Sequence, residues 1–281
     1  MKRTIFYFSL MHLFLLSNAF SNDLADEVFL DGSIHTFNQS LSIENSIAIK
    51  DGIILAVGTK SSIQKLIGEN TKVNNLEGKM MLPSFHDAHS HPIWDGVNRL
   101  KCILTDLYDI QDIKDMLRVC LNSELTQTTG WIVGSGLNIG LFSAGNPNKS
   151  LLDDISKDIP IILWANDGHS ALANSKAFEL ANITAETINP PYGVIERDPQ
   201  TGEPSGTLRE SSAINLVLVL TPKDTDSDYD KGLSISQEMA HSFGITSVLE
   251  AAVGERHMAT YKRAADREEL DLRVFTCLEY G

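Results

Sequence analysis

The chain has 281 residues, 42% of them hydrophobic and 21% charged, with a formal net charge of −14. That length can bury a substantial core and suits one large domain or two smaller ones. The acidic balance repels phosphate backbones, so nucleic-acid binding has little support and a small molecule is the expected partner.

The chain opens MKRTIFYFSLMHLFLLSNAFSN. Lys2 and Arg3 make a basic start, Ile5 to Leu16 a short apolar run, and Ser17-Asn18-Ala19 or Ala19-Phe20-Ser21 a small-residue cleavage context. This is the pattern of a secretory signal, predicted over residues 1–21. A spanning helix needs about 20 apolar residues, so the run is too short for an anchor. The expectation is an exported chain, periplasmic or secreted, with no membrane attachment after cleavage.

Residues 22–80 are dense in hairpin signals: DEVFLDGSIHTF and SIAIKDGIILAVG each set Asp-Gly, at 31–32 and 51–52, between β-rich runs. A small β-domain is predicted there. MLPSFHDAHSHP, residues 81–92, then opens a different region, predicted over 81–281. Residues i and i+2 of a strand share a face, so His89 and His91 project together, with Asp87 one step earlier. A strand offers two imidazoles to one metal ion in this way, and a hydrolytic site needs neutral imidazoles with an open coordination position. The competing interpretation is two polar residues on an exposed strand end.

Further on, QDIKDMLRVCLNSEL (111–125) carries Ile113, Met116, Leu117, Cys120 and Leu121 at helical spacing. WIVGSGL and PIILWAND suit buried strands, and NSKAFELANI (174–183) suits a short helix capped by Asn174 or Ser175. VIERDPQTGEPSGTL (194–208) suits a loop or hairpin. The tail alternates: a helix near 228–243 stopped by Gly244, the strand ITSVLEA, a helix over 255–269 and the strand LRVFTCLEY. That rhythm belongs to a parallel sheet with helical crossovers. Cys102, Cys120 and Cys277 lack metal-ligand spacing. They are taken as buried small hydrophobes, with a Cys102–Cys120 bridge as the alternative. The Gly patterns of phosphate-binding and dinucleotide-binding loops are absent from the sequence.

MLPSFHDAHSHP resembles the D-x-H-x-H strand of the amidohydrolase superfamily. DGHSALANSKAFELANI, GVIERDPQTGEPSGTLRE and GITSVLEAA resemble its family 3 branch, which includes N-substituted formamide deformylase. The resemblance implies an α/β fold: a (β/α)8 TIM-like metallohydrolase barrel joined to a small β-sandwich, with an insertion after the first barrel strand, here about 95–230. It also implies a bound divalent metal, usually zinc, that activates water to hydrolyse amide-type, non-peptide C–N bonds of a small molecule.

Carried onto this sequence, His89 and His91 are the metal ligands. Glu210 completes the site, bridges two ions or stands just behind it, against the plainer alternative of a solvated glutamate at a helix start. Asp87 orients a histidine or steadies the strand rather than binding metal. His169, placed between a strand and a helix, contacts substrate or caps its loop. Glu250 stands where the family has an aspartate, so its role is in doubt. Ser84 and His86 depart from the pattern, and His86 is expected to face packing helices with its imidazole unpaired.

A complete barrel takes about 250 residues, whereas 201 run from Met81 to Gly281. The expectation is therefore an incomplete barrel and a truncated copy, active or not, with the general-base aspartate past the last residue. The alternative is a non-catalytic fragment that binds metal or ligand weakly. The substrate stays open among amides, formamides, N-acyl amino acids and imides, and no oligomeric state is expected over another.

Overall fold

The structure, a computed structural model, describes residues 24–278, so the predicted signal over 1–21 lies outside the described residues. Its backbone contacts divide the chain between Pro83 and Ser84.

The first unit comprises β1 (Glu27–Leu30), β2 (Ser33–His35), β3 (Ile43–Glu44), β4 (Ser46–Lys50), β5 (Ile53–Gly58), α1 (Lys60–Ile63), β6 (Lys72–Asn75) and β7 (Met80–Met81). Four strands form one sheet in the order β5-β4-β1-β6, and three form another in the order β3-β2-β7. Asp51 and Gly52 close the β4–β5 hairpin with φ of 49° and 73°, the left-handed pair that a two-residue turn with the right twist requires. Asp31-Gly32 does not make the second hairpin that its sequence suggests. β1 is already paired on both sides, by β4 antiparallel and β6 parallel, so no edge remains for β2. The turn instead passes the chain from one sheet to the other. Val28, Leu30, Ala48 and Ile63 bury the apolar side of this unit.

The second unit begins with β8 (Phe85–Ser90) and α2 (Pro92–Asn98). It continues through β9 (Cys102–Ile103), α3 (Ile110–Leu121), α4 (Glu124–Thr129), β10 (Ile132–Leu137), α5 (Ser150–Asp153), β11 (Ile161–Ala165), β12 (Ser170–Ala173) and α6 (Ser175–Leu180). The hairpin β13 (Val194–Arg197) and β14 (Pro204–Arg209) and helix α7 (Glu210–Leu218) follow. The unit ends with α8 (Asp226–Ser242), β15 (Ile245–Val253), α9 (Glu255–Asp266) and β16 (Arg273–Leu278).

Two sheets result. One has six strands in the order β13-β14-β12-β11-β10-β9. The other has three, β16-β15-β8, all parallel. The chain thus leaves β8, builds an entire second sheet, and returns through α8 to lay β15 beside β8.

Local chemistry explains most boundaries. The apolar stripe over 111–125 becomes two helices, because the Ser123 side chain accepts from the Thr126 N–H and starts α4 anew. Ile113 and Leu117 are fully buried. Asn174 caps α6, and Thr225 with Asp228 forms a capping box at α8.

Helices α2 and α8 meet through glycines. A Cβ built on Gly96 would lie 1.9 Å from the Gly232 carbonyl oxygen and 2.6 Å from Ser236 Oγ. At the same contact Ser236 Oγ donates to the Pro92 carbonyl at 2.5 Å. This close approach pins α2, which starts directly after His91.

The cysteines require a correction. Cys102 and Cys120 are joined as a disulfide, with Cα atoms 5.8 Å apart, tying β9 to α3, and Cys277 is exposed rather than buried. The pairing depends on α3 packing over β9, which no spacing rule reveals. Among the described residues no helix is long and apolar enough to cross a membrane.

Candidate metal centre

β8 ends at Ser90, and His91 is the residue from which α2 starts. The pairing with β15 slips near this end: Asp87 stands opposite Val248 and Ser90 opposite Glu250, three steps on one strand for two on the other. At the slip, Asp87 Oδ1 accepts the backbone N–H of His89 at 3.0 Å. This hydrogen bond ties the Asp87 side chain to the end of the strand.

The rings of His89 and His91 come together, with centroids 5.4 Å apart and planes at 90°. The carboxylate that reaches this pair of rings is Glu250. Its Oε1 lies 3.3 Å from His91 Nδ1, within ion-pair reach but not aligned as a hydrogen bond. Its Oε2 accepts from the Tyr261 hydroxyl at 2.7 Å. Glu250 is only 1% exposed. Burial first, and then the charge of Glu250, push the Tyr261 phenol far above its ordinary pKa, so it stays a donor.

Glu250, whose role the sequence left in doubt, is thus brought to this pair by the fold. The available signal was a single acid within the strand ITSVLEAAV, since a buried carboxylate needs partners.

His86 also differs from expectation. Its Nδ1 lies 2.7 Å from Ser247 Oγ, and its ring 5.6 Å from that of Phe275, so the imidazole is not unpaired. Ser84 is matched in the same way by Thr246, Oγ to Oγ1 at 2.6 Å. The polar departures at and just before the start of β8 are answered by polar residues on β15.

His169 and Glu210 form a second group on the six-stranded sheet. His169 sits in the turn between β11 and β12, so a strand intervenes before the helix that was expected to follow it. Asp167 shapes this turn, accepting the His169 and Ser170 N–H groups at 3.0 Å each and Ser170 Oγ at 2.7 Å. Partial burial works to raise the Asp167 carboxyl, but these hydrogen bonds and Arg209 outweigh it and hold the group below the usual range.

The Glu210 N–H donates to the His169 carbonyl at 2.7 Å, and Glu210 Oε2 lies 3.3 Å from His169 Nδ1. Glu210 carries φ of 64°, a left-handed conformation costing roughly 1–3 kcal/mol for a residue with a side chain. Such backbone strain survives only where surrounding contacts impose it.

The contact of the Glu210 carboxylate is thus with His169 on the six-stranded sheet, and no hydrogen bond or ion pair among the described residues joins it to His89 or His91. Among the described residues no group of three or more His, Cys, Asp or Glu side chains is placed to hold one ion. Two adjacent imidazoles with a buried carboxylate behind one of them fit the nitrogen-donor part of a metal site. Catalytic zinc ordinarily takes three protein ligands. A cleft of about 400 Å³, lined by Trp94, Asp95, Tyr108, Asn138, Asn166 and Asp167, extends from α2 to the His169 turn.

Residues 72–279 match the family profile of the amidohydrolase family. This chain belongs to that family. A curated relative, N-substituted formamide deformylase of Arthrobacter pascens, is 26% identical over 249 residues, covering 86% of this chain and 45% of the relative. Protein LONG AFTER FAR-RED 3 of Arabidopsis thaliana is 32% identical over 227 residues, covering 81% of this chain and 38% of that protein. An uncharacterized metal-dependent hydrolase of Pyrococcus horikoshii has the same fold, with a TM-score of 0.62 at 22% identity, over 90% of this chain and 48% of that one. The amidohydrolase chain described here thus spans about half the length of the relatives it matches, and its fold is of the α/β metallohydrolase type.

Proposed function

We propose that this amidohydrolase-family chain serves metal-dependent hydrolysis of amide-type, non-peptide C–N bonds in small molecules. The observation that carries the proposal is the pair His89–His91 at the C-terminal end of a parallel strand, with Glu250 buried behind it. In barrel enzymes catalytic groups gather at that end of the strands. Accordingly β8, β15 and β16 are taken as strands of a (β/α)8 barrel with α8 and α9 as crossovers, and the six-stranded sheet as the insertion after β8. The first unit is taken as the small β-sandwich. The α-β alternation and the fold likeness to a solved metal-dependent hydrolase support this assignment.

In this proposal His89 and His91 hold the ion through ring nitrogens. The ion, zinc by the preference of imidazole sites, supplies Lewis acidity and lowers the pKa of water toward about 7 when bound. The chain's own residues do the rest. Asp87 fixes the strand end through the His89 N–H, and the polar cleft beside α2 receives a small substrate. His169, exposed on the wall formed by the β11–β12 turn, hydrogen-bonds the substrate, and Glu210 holds that imidazole in place. The printed name of the Arthrobacter relative, a formamide deformylase, supports an amide-type substrate. The basic-apolar-small pattern of residues 1–21 supports export.

The lack of a third ligand among the described residues favours a second reading, in which the chain binds metal weakly without turnover. Metal content of the purified, folded chain tests the site common to both. About one zinc per chain, lost in His89→Ala/His91→Ala, is expected. Folded protein that retains no more zinc than the double variant would remove the metal centre altogether.

A further inference from the structure

We infer that Glu250 is the positioning residue of this centre. Its carboxylate, anchored at one oxygen by Tyr261, holds the Nδ1–H of His91 and turns the Nε2 lone pair of that ring toward the metal. The inference rests on His91 being a ligand.

An ionised carboxylate inside a sheet costs several kcal/mol unless its oxygens are matched. Glu250 is 1% exposed. Among the described residues no lysine or arginine pairs with it, and the ion-pair contact it makes is to His91. Oε2 is taken by the Tyr261 hydroxyl from α9. Oε1 has no aligned hydrogen bond and faces His91 Nδ1 at 3.3 Å. The Nδ1–H of His91 is the donor we assign to that oxygen.

The tautomer of a neutral histidine follows from the hydrogen bond its other nitrogen makes. A carboxylate beside Nδ1 draws the proton there and leaves Nε2 as the free donor. Among the described residues Asp87 makes its hydrogen bond to the His89 backbone, whereas the carboxylate facing His91 Nδ1 is Glu250. Since the His89 ring packs edge to face on that of His91, fixing one ring also restricts the other. Tyr261 thus acts on the centre from α9 through Glu250.

The test compares wild type, Tyr261→Phe and Glu250→Leu/Tyr261→Phe on the full chain. The double variant replaces both hydrogen-bonding partners by apolar groups of similar size, a change that is nearly neutral for folding when both are removed together. Two readouts are taken. Long-range ¹H–¹⁵N correlation in the metal-free chain reports the His91 tautomer, and competition with a chromophoric chelator reports zinc affinity.

The expected result is Nδ1–H His91 in wild type, loss of that preference in the double variant, and a fall in zinc affinity of roughly 10- to 100-fold. Tyr261→Phe keeps the carboxylate and should fall by less than the double variant. If wild type binds zinc and the double variant keeps both tautomer and affinity, the positioning role is wrong while the metal reading stands. If wild type binds no more zinc than His89→Ala/His91→Ala, the metal reading fails and takes this inference with it.

Discussion

Gly96→Ala tests whether the contact between α2 and α8 sets the position of His91. The added Cβ would lie 1.9 Å from the Gly232 carbonyl oxygen and 2.5 Å from its carbonyl carbon. Carbon and oxygen in van der Waals contact need about 3.3 Å, so the helices must part by about 1.4 Å there. The obstructing atoms are backbone, so no rotamer change relieves them. Overpacking of this kind costs about 1–3 kcal/mol, and a backbone clash belongs at the top of that range. Alanine returns about 1 kcal/mol in helix propensity over glycine, which leaves a net loss of about 2 kcal/mol. Urea denaturation followed by circular dichroism measures it. Zinc affinity should fall in parallel, because α2 begins at Pro92, next to His91. Adding Ser236→Ala removes the contact at 2.6 Å but leaves the carbonyl, so it should restore little. A Gly96→Ala chain as stable as wild type, with unchanged zinc affinity, would show that this helix contact does not position the site.

Four further outcomes follow from particular contacts. Replacing Cys102 and Cys120 by alanine opens a bridge with a sequence separation of 18 and should cost about 3 kcal/mol, read as a lower urea midpoint. An unchanged midpoint in wild type after full reduction would contradict it. Asn174→Ala removes a buried side chain that accepts from Ile161 and Ala177 and donates to Ser156 and Ile159, so a loss of about 3 kcal/mol is expected, and a loss below about 1 kcal/mol would refute the network. Asp230 is held below the usual carboxylate range chiefly by its hydrogen bond from Arg263, with Arg267 adding to it. A depressed folded-state pKa stabilises fully above about pH 4 and is lost as pH falls through the folded value. The stability gap between wild type and Asp230→Asn should therefore close on acidification, and a gap constant from pH 7 to 3 would count against the pair. Glu210→Gly releases the left-handed strain at φ 64° and should be at least as stable as Glu210→Ala, with thermal midpoints deciding the order.

Much of the local structure was legible along the chain, and so was half of the site. His89 and His91 declare themselves because strand periodicity is a property of two neighbouring residues and needs no distant partner. The Asp51-Gly52 hairpin, the Asn174 cap and the α8-β15-α9-β16 alternation are readable for the same reason. Asp31-Gly32 carries an equally good turn signal, yet β4 and β6 had already taken both edges of β1.

The amino-acid sequence by itself determined what is local: the paired imidazoles, the caps, the turns and the family blocks. Tertiary structure alone decided which distant groups meet. It joined Cys102 to Cys120, gave Ser247 to His86, turned Glu210 toward His169, and buried Glu250 between Tyr261 and His91. The physical reason is that a carboxylate's partner is chosen by whichever strand or helix packs beside it, and β15 reaches β8 only after more than a hundred intervening residues have folded into another sheet.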